Sequence, residues 1–168
     1  MVDYLVFRKT RSIRAAIFNN VAMPLVMFYR KTFKGKKVAW GETRESLKRF
    51  DEGSLGKLVS EFLYEQDFEV TPMMESHDVF HVIMSYGTEL HEEAAMQFFL
   101  MGNGKKSKLI RIAAFVGVVI FPEYWKLYRE SYKRGKQTLH FSSWDFKELL
   151  FVDVDQFRKD IELPERKF

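Results

Sequence analysis

The sequence predicts an all-α protein, and three observations carry that expectation. Apolar residues recur at helical spacing along most of the 168 residues. Capping residues, prolines and glycines punctuate the chain between those stretches. Only one short segment, Leu149 to Val154, reads as a strand, and it has no partner to pair with.

The elements follow in order. Arg11 to Phe33 places Ile13, Ala16, Ile17, Val21, Leu25 and Phe28 near the helical period, with Pro24 forcing a kink or break. Residues 1–50 therefore read as an N-terminal amphipathic arm. Ser54 caps a second helix in which Leu55, Leu58, Val59, Phe62 and Leu63 form a one-sided stripe. Thr71 and Pro72 resemble the cap and first position of a third helix, which ends before Gly87. Thr88 caps a fourth, running to about Met101 and closed by a Gly102-Asn103-Gly104 loop.

Leu109 to Phe121 is the longest apolar stretch, interrupted by Arg111 and closed by Pro122. It is shorter than the ~20 residues that span a bilayer as a helix, so it reads as a buried central helix. Its small residues Ala113, Ala114 and Gly117 allow a neighbouring helix or a flat ligand chain to approach closely. Pro122 opens the next helix, where Tyr124, Trp125, Tyr128 and Tyr132 mark an aromatic stripe ending near Gly135. Asp155 to Ile161 looks helical.

Composition sets the outer bounds. A chain with 46% hydrophobic and 16% aromatic residues can bury one core, and 168 residues are too few for two ordinary domains, so residues 1–168 are expected to form one helical domain. The absence of cysteine excludes disulfides, thiolate metal ligands and cysteine nucleophiles, and is compatible with a reducing cytosol. The start, MVDYLVFRKTRS, has no apolar run of the kind found in secretory signals. Two basic clusters, Arg30, Lys31, Lys34, Lys36 and Lys37, and then Lys105, Lys106 and Lys108, suit phosphates or anionic lipid head groups. Neither has the aromatic interleaving of a nucleic-acid site, so no nucleic-acid partner is expected.

Three of the four histidines fall in the stretch MESHDVFHVIMSYGTELHEE. On a helix, His77, Asp78 and His81 project over one arc of roughly 100°. A chain reversal at Gly87 and Thr88 would bring Glu93 back toward that arc. Imidazole and carboxylate ligands without sulfur suit Zn²⁺, Fe²⁺ or Mn²⁺, and spacing does not choose among them. Glu89, Glu92 and Glu93 are also the acidic residues that the N-terminus of a helix favours. His91 and Glu89 are further candidates, as groups that could shuttle protons.

The motif His77-Asp78-Val79-Phe80-His81, followed after eleven intervening residues by Glu93, resembles the hallmark of the Coq-four family of coenzyme Q (ubiquinone) biosynthesis proteins. Ser85-Tyr86-Gly87-Thr88 looks like that family's turn between ligand helices, Gly53-Ser54-Leu55-Gly56 like its earlier helix start, and Tyr132-Lys133-Arg134-Gly135-Lys136 like its later basic segment. The likeness covers roughly residues 53–163. It departs from the family at Ser85, where a glycine is usual, and at Glu92, where a small residue is usual; Glu92 leaves the choice of carboxylate open. The resemblance implies an all-helical fold, a divalent metal on His77, Asp78, His81 and Glu93, and a cavity for a prenylated quinone precursor. Phe98, Phe99, Ala113, Phe115 and Gly117 are the residues expected to line it. It further implies a cytoplasmic protein docked at the inner face of a membrane, either oxidatively decarboxylating a prenylated hydroxybenzoate or serving as a lipid-binding scaffold for quinone-biosynthesis enzymes.

Overall fold

Ser54 begins the first long helix of the computed structural model, which describes residues 39–72 and 74–167. The arm expected over Arg11 to Phe33 and the cluster Arg30 to Lys37 lie outside them. Among the described residues six α-helices follow one another: α1 (Leu55–Glu65), α2 (Glu75–Met84), α3 (Leu90–Gly102), α4 (Lys108–Ile120), α5 (Trp125–Gln137) and α6 (Val154–Asp160). Short 3₁₀ turns lie at Ser46–Arg49, Pro122–Tyr124 and Phe146–Leu149. No strand occurs among the described residues, so the all-α class holds.

The strand-like segment resolves differently from its sequence pattern. Leu55 and Gly56 donate their N–H groups to the carbonyls of Val152 and Leu150, at 2.8 and 2.7 Å. These donors belong to the first turn of α1, which has no intrahelical partners for them. The segment is a turn rather than a strand, Leu150 having helical dihedrals, and its carbonyls satisfy a helix end beside one isolated bridge between Ser54 and Asp153. The Ser54 hydroxyl accepts from Lys57 N–H at 3.4 Å, as its capping role requires.

Three expected helix ends also shift. Thr71 and Pro72 form a turn closed by the Met74 N–H on the Thr71 carbonyl, and α2 starts only at Glu75. Buried Glu75 is held by the Trp40 N–H at 3.0 Å, which ties the start of α2 to the chain before α1. Ser85, rather than Gly87, ends α2 by turning left-handed at φ 58°. Glu89 rather than Thr88 occupies the cap position of α3 and makes no side-chain capping bond, while the Thr88 hydroxyl donates to Gln66 Oε1.

The long apolar helix α4 is not buried on all sides. Ile110, Ala114 and Gly117 are buried, whereas Ile112, Phe115 and Val119 are exposed, Phe115 by 69%. At about 100° per residue, Lys108, Arg111, Ile112, Phe115 and Val119 share one outward arc opposite the small residues. Close packing is what selects the inner face: a Cβ on Gly117 would lie 2.4 Å from that of Ala94 on α3.

A second small-residue contact joins α3 to α5. A Cβ on Gly102 would lie 2.1 Å from the Tyr132 carbonyl oxygen, and one on Gly135 would lie 2.1 Å from that of Phe99. Asn103 locks the same crossing. Its amide donates to the carbonyls of Gly135, Thr138 and Leu139, and its carbonyl accepts the Phe141 and Ser142 N–H groups. What reads in sequence as a loop residue is a buried hub that satisfies the end of α5. Around it Phe99, Tyr128, Phe141, Phe146, Met96 and Ile83 form the centre of the core.

Candidate metal centre

Two helices and the turn between them build the site. On α2, His77 and His81 stand one turn apart with rings nearly perpendicular (87°) and centroids 4.8 Å apart. Their Nε2 atoms approach to 3.2 Å. The turn at Ser85 to Thr88 reverses the chain, and Glu93 on α3 reaches back with Oε2 3.4 Å from His77 Nε2 and Oε1 3.0 Å from His81 Nε2. Glu93 and the two histidines therefore converge as the spacing predicts. These three could hold a metal ion.

The donor set fits such an ion in both chemistry and scale. His81 Nδ1 lies 3.0 Å from the Tyr86 carbonyl, which can only accept. That contact places the ring proton on Nδ1 and turns the lone pair of Nε2 toward His77 and Glu93. For metal–ligand bonds of about 2.0–2.1 Å, tetrahedral geometry separates neighbouring donors by roughly 3.3–3.4 Å and octahedral geometry by roughly 3 Å. The observed edges of 3.0, 3.2 and 3.4 Å fall in that span. Phe62 of α1 stacks on the His81 ring (5.1 Å, 17°) and closes its far side, leaving the imidazole 3% exposed.

The electrostatics of the metal-free chain describe the same grip. Burial would raise the Glu93 carboxyl, but hydrogen bonds and charge from His77 and His81 hold it down to about 2. Burial opposes charge on His81, yet the hydrogen bond to Glu93, its negative charge, the Tyr86 carbonyl and Asp78 together raise the imidazole above its ordinary value. A proton shared in this way occupies the place a cation would take, and metal binding must displace it. Burial pushes Asp78 up to about 6, against the charges of His77 and His81. Asp78 thus lies within electrostatic reach, but it is not one of the three residues whose donor atoms converge.

The remaining expected residues are spread more widely. Glu92 turns from His77 and His81 to Arg166 at 2.5 Å, with His91 Nε2 3.8 Å from the same oxygen, so the neighbouring carboxylates that sequence left open are separated: Glu93 meets the His77 and His81 imidazoles, Glu92 chiefly an arginine. His91 stacks on Tyr124 (4.0 Å, 17°) and exposed Glu89 caps α3; neither joins the group. Of the residues expected to line a lipid cavity, Phe99 is fully buried in the core and Gly117 is closed by Ala94. Phe98 and Ala113 are half-buried, Phe98 stacking on Tyr128 (5.2 Å, 7°), and Phe115 faces outward. Phe62, the Tyr86 carbonyl and Arg166 were not foreseen as parts of the site. Phe62 carried a signal in the α1 stripe; a backbone carbonyl carries none.

No family model matches the sequence, and no curated protein matches it. The fold does match a solved structure. A crystal structure of a protein from Nostoc punctiforme PCC 73102, provisionally assigned to ubiquinone biosynthesis, superimposes with a TM-score of 0.64 over 93% of this chain and 82% of that one. The two sequences are 16% identical, so the likeness is one of fold. Among the described residues, no helix is long and apolar enough to cross a membrane.

Proposed function

We propose that this chain is a divalent-metal protein of prenylquinone biosynthesis acting on a prenylated aromatic acid. The observation carrying the proposal is the convergence of His77, His81 and Glu93 at metal-polyhedron edge lengths. The fold it shares with a protein provisionally assigned to ubiquinone biosynthesis supports the pathway, and the prenylated aromatic acid is the substrate that the motif resemblance implies. His77, His81 and Glu93 would hold the ion, with Asp78 as the fourth ligand of the proposed set. Three or four protein donors leave positions open on six-coordinate Fe²⁺ or Mn²⁺, which suits chemistry, whereas four close a tetrahedral Zn²⁺ shell, which suits a scaffold.

When bound, the metal supplies a Lewis acid that polarises an oxygen of the substrate ring or carboxylate. In the overall reaction the ring carboxyl leaves as carbon dioxide and a hydroxyl derived from dioxygen replaces it. A two-electron reductant converts the other oxygen atom to water. The protein's own part is orientation: Tyr86 and Glu93 fix His81, and Phe62 shields it from water.

The prenyl tail would lie on the half-buried apolar surface of Phe98 and Ala113, on the side of α4 away from outward-facing Phe115, gaining about 0.8 kcal/mol for each CH₂ removed from water. The outward arc of α4, with Ile112, Phe115 and Val119 beside Lys108 and Arg111, suits an anionic lipid surface from which such a substrate is drawn. Elemental analysis of protein purified without chelator identifies the metal. Turnover of a prenylated hydroxybenzoate by His77→Ala and His81→Ala variants tests the chemistry. Both variants should be inactive; full turnover in both ends the catalytic reading. A large loss of melting temperature on metal removal, with no reaction detectable in the wild type, would instead favour the scaffold that presents quinone precursors to other enzymes.

A further inference from the structure

We propose that Arg166 and Glu92 are positioning residues of the metal centre, a clamp through which the C-terminal tail sets the turn joining the two ligand helices. The inference rests on the metal reading above and extends it to residues that touch no ligand atom of the ion.

The clamp spans the turn from both ends. Arg166 donates through Nη1 to the Ser85 carbonyl at 2.7 Å and through Nη2 to Glu92 Oε1 at 2.5 Å. The other oxygen of Glu92 accepts the Gly87 N–H at 3.3 Å. The guanidinium also stands over the Tyr86 ring, 4.7 Å from its centroid. Residues 85, 86 and 87 are each held by this one ion pair, and Tyr86 is the residue whose carbonyl sets the His81 ring. Glu92 precedes Glu93 on α3, so the same pair fixes the first turn of the helix that delivers the carboxylate ligand. The two side chains are only 21% and 14% exposed, which separates the pair from an ordinary surface ion pair.

Two other arginines show which part of this arrangement is merely structural. Arg158 donates to the Ile83 and Val82 carbonyls at 3.0 and 2.8 Å, and Arg134 donates to the Met84 carbonyl at 2.8 Å. They satisfy the last carbonyls of α2, which a helix leaves without partners. Arg134 also meets the Tyr86 side chain, standing 5.8 Å from its ring centroid, so Arg158 is the purely structural comparison: it bonds to neither the Tyr86 nor the Gly87 backbone nor Glu92. Arg158 reaches the turn only at the Ser85 hydroxyl.

The test is a competition titration of Zn²⁺ against a chromophoric chelator, using the full chain, with melting curves of the metal-free proteins. Arg166→Ala and Glu92→Gln should weaken zinc binding by about 10- to 100-fold, the range found when residues that orient ligands are removed. Arg158→Gln should lower the melting temperature while leaving zinc affinity within about threefold. Arg166→Lys should recover the affinity only in part, because an ammonium cannot span two acceptors as the planar guanidinium does. Imidazole ¹⁵N shifts should show His81 losing its fixed Nδ1–H form in Arg166→Ala and keeping it in Arg158→Gln. Wild-type zinc affinity in both Arg166→Ala and Glu92→Gln overturns the clamp and leaves the metal reading intact. Absence of zinc binding by the wild type overturns both. Should Arg166→Ala fail to fold, Glu92→Gln and Arg166→Lys decide the matter.

Discussion

Replacing Gly135 by alanine should destabilise the protein, although the sequence alone implies the reverse. Gly135 lies inside α5, where alanine is preferred over glycine by about 1 kcal/mol. The crossing with α3 reverses the sign. The new Cβ would lie 2.1 Å from the Phe99 carbonyl oxygen, 2.9 Å from its carbon and 3.0 Å from the Asn103 nitrogen. All three atoms are backbone, so no side chain can swing aside, and α3 and α5 must part by about 0.9 Å for the closest contact to reach 3.0 Å. Overpacking of this kind costs about 1–3 kcal/mol, and a rigid backbone neighbour places this case at the upper end. After the gain in helix propensity, a net loss of about 2 kcal/mol remains, or roughly 4–8 °C in melting temperature for a chain of this size. Differential scanning calorimetry of Gly135→Ala measures it. Gly87→Ala is the control, since its Cβ would meet only Glu92 Cγ at 3.8 Å, and its melting temperature should stay near that of the wild type. An unchanged or raised melting temperature for Gly135→Ala would refute the packing argument.

Three other outcomes follow from the same structure. Asn103→Ala strands three carbonyls and two N–H groups in the core and should cost about 3 kcal/mol or more by chemical denaturation; a loss under about 1 kcal/mol would mean water replaces the amide. In chelator, the Glu93–His81 pair should stabilise the fold most between about pH 4.5 and 6.5. The Glu93 share, its folded pKa depressed to about 2, is present above its ordinary 4.5 and fades as pH falls toward 2; the His81 share, its folded pKa raised, is present below 6.5 and fades as pH climbs through the raised value. Melting curves of wild type and Glu93→Gln across pH 2–8 should differ most inside that window, and parallel curves would contradict it. Phe115→Glu should leave stability within about 0.5 kcal/mol, because the ring is exposed, yet weaken co-sedimentation with anionic vesicles; undiminished sedimentation removes α4 from the lipid-facing surface.

The residues themselves determined the all-helical class, the capping of α1 by Ser54 and the placement of His77 and His81 on one face of α2. Each of these depends on neighbours within one or two turns, where spacing and backbone geometry act directly. Tertiary structure decided the rest. Whether Glu92 or Glu93 meets the imidazoles turns on a rotation of about 100° between adjacent positions, set by a left-handed Ser85 and by an arginine 81 residues beyond it. Which face of α4 is buried depends on Ala94 accepting the close approach of Gly117, something apolar composition cannot express. Leu149 to Val154 has the pattern of a strand and serves instead as the cap of a distant helix, because unpaired N–H groups take whichever carbonyls the fold brings to them.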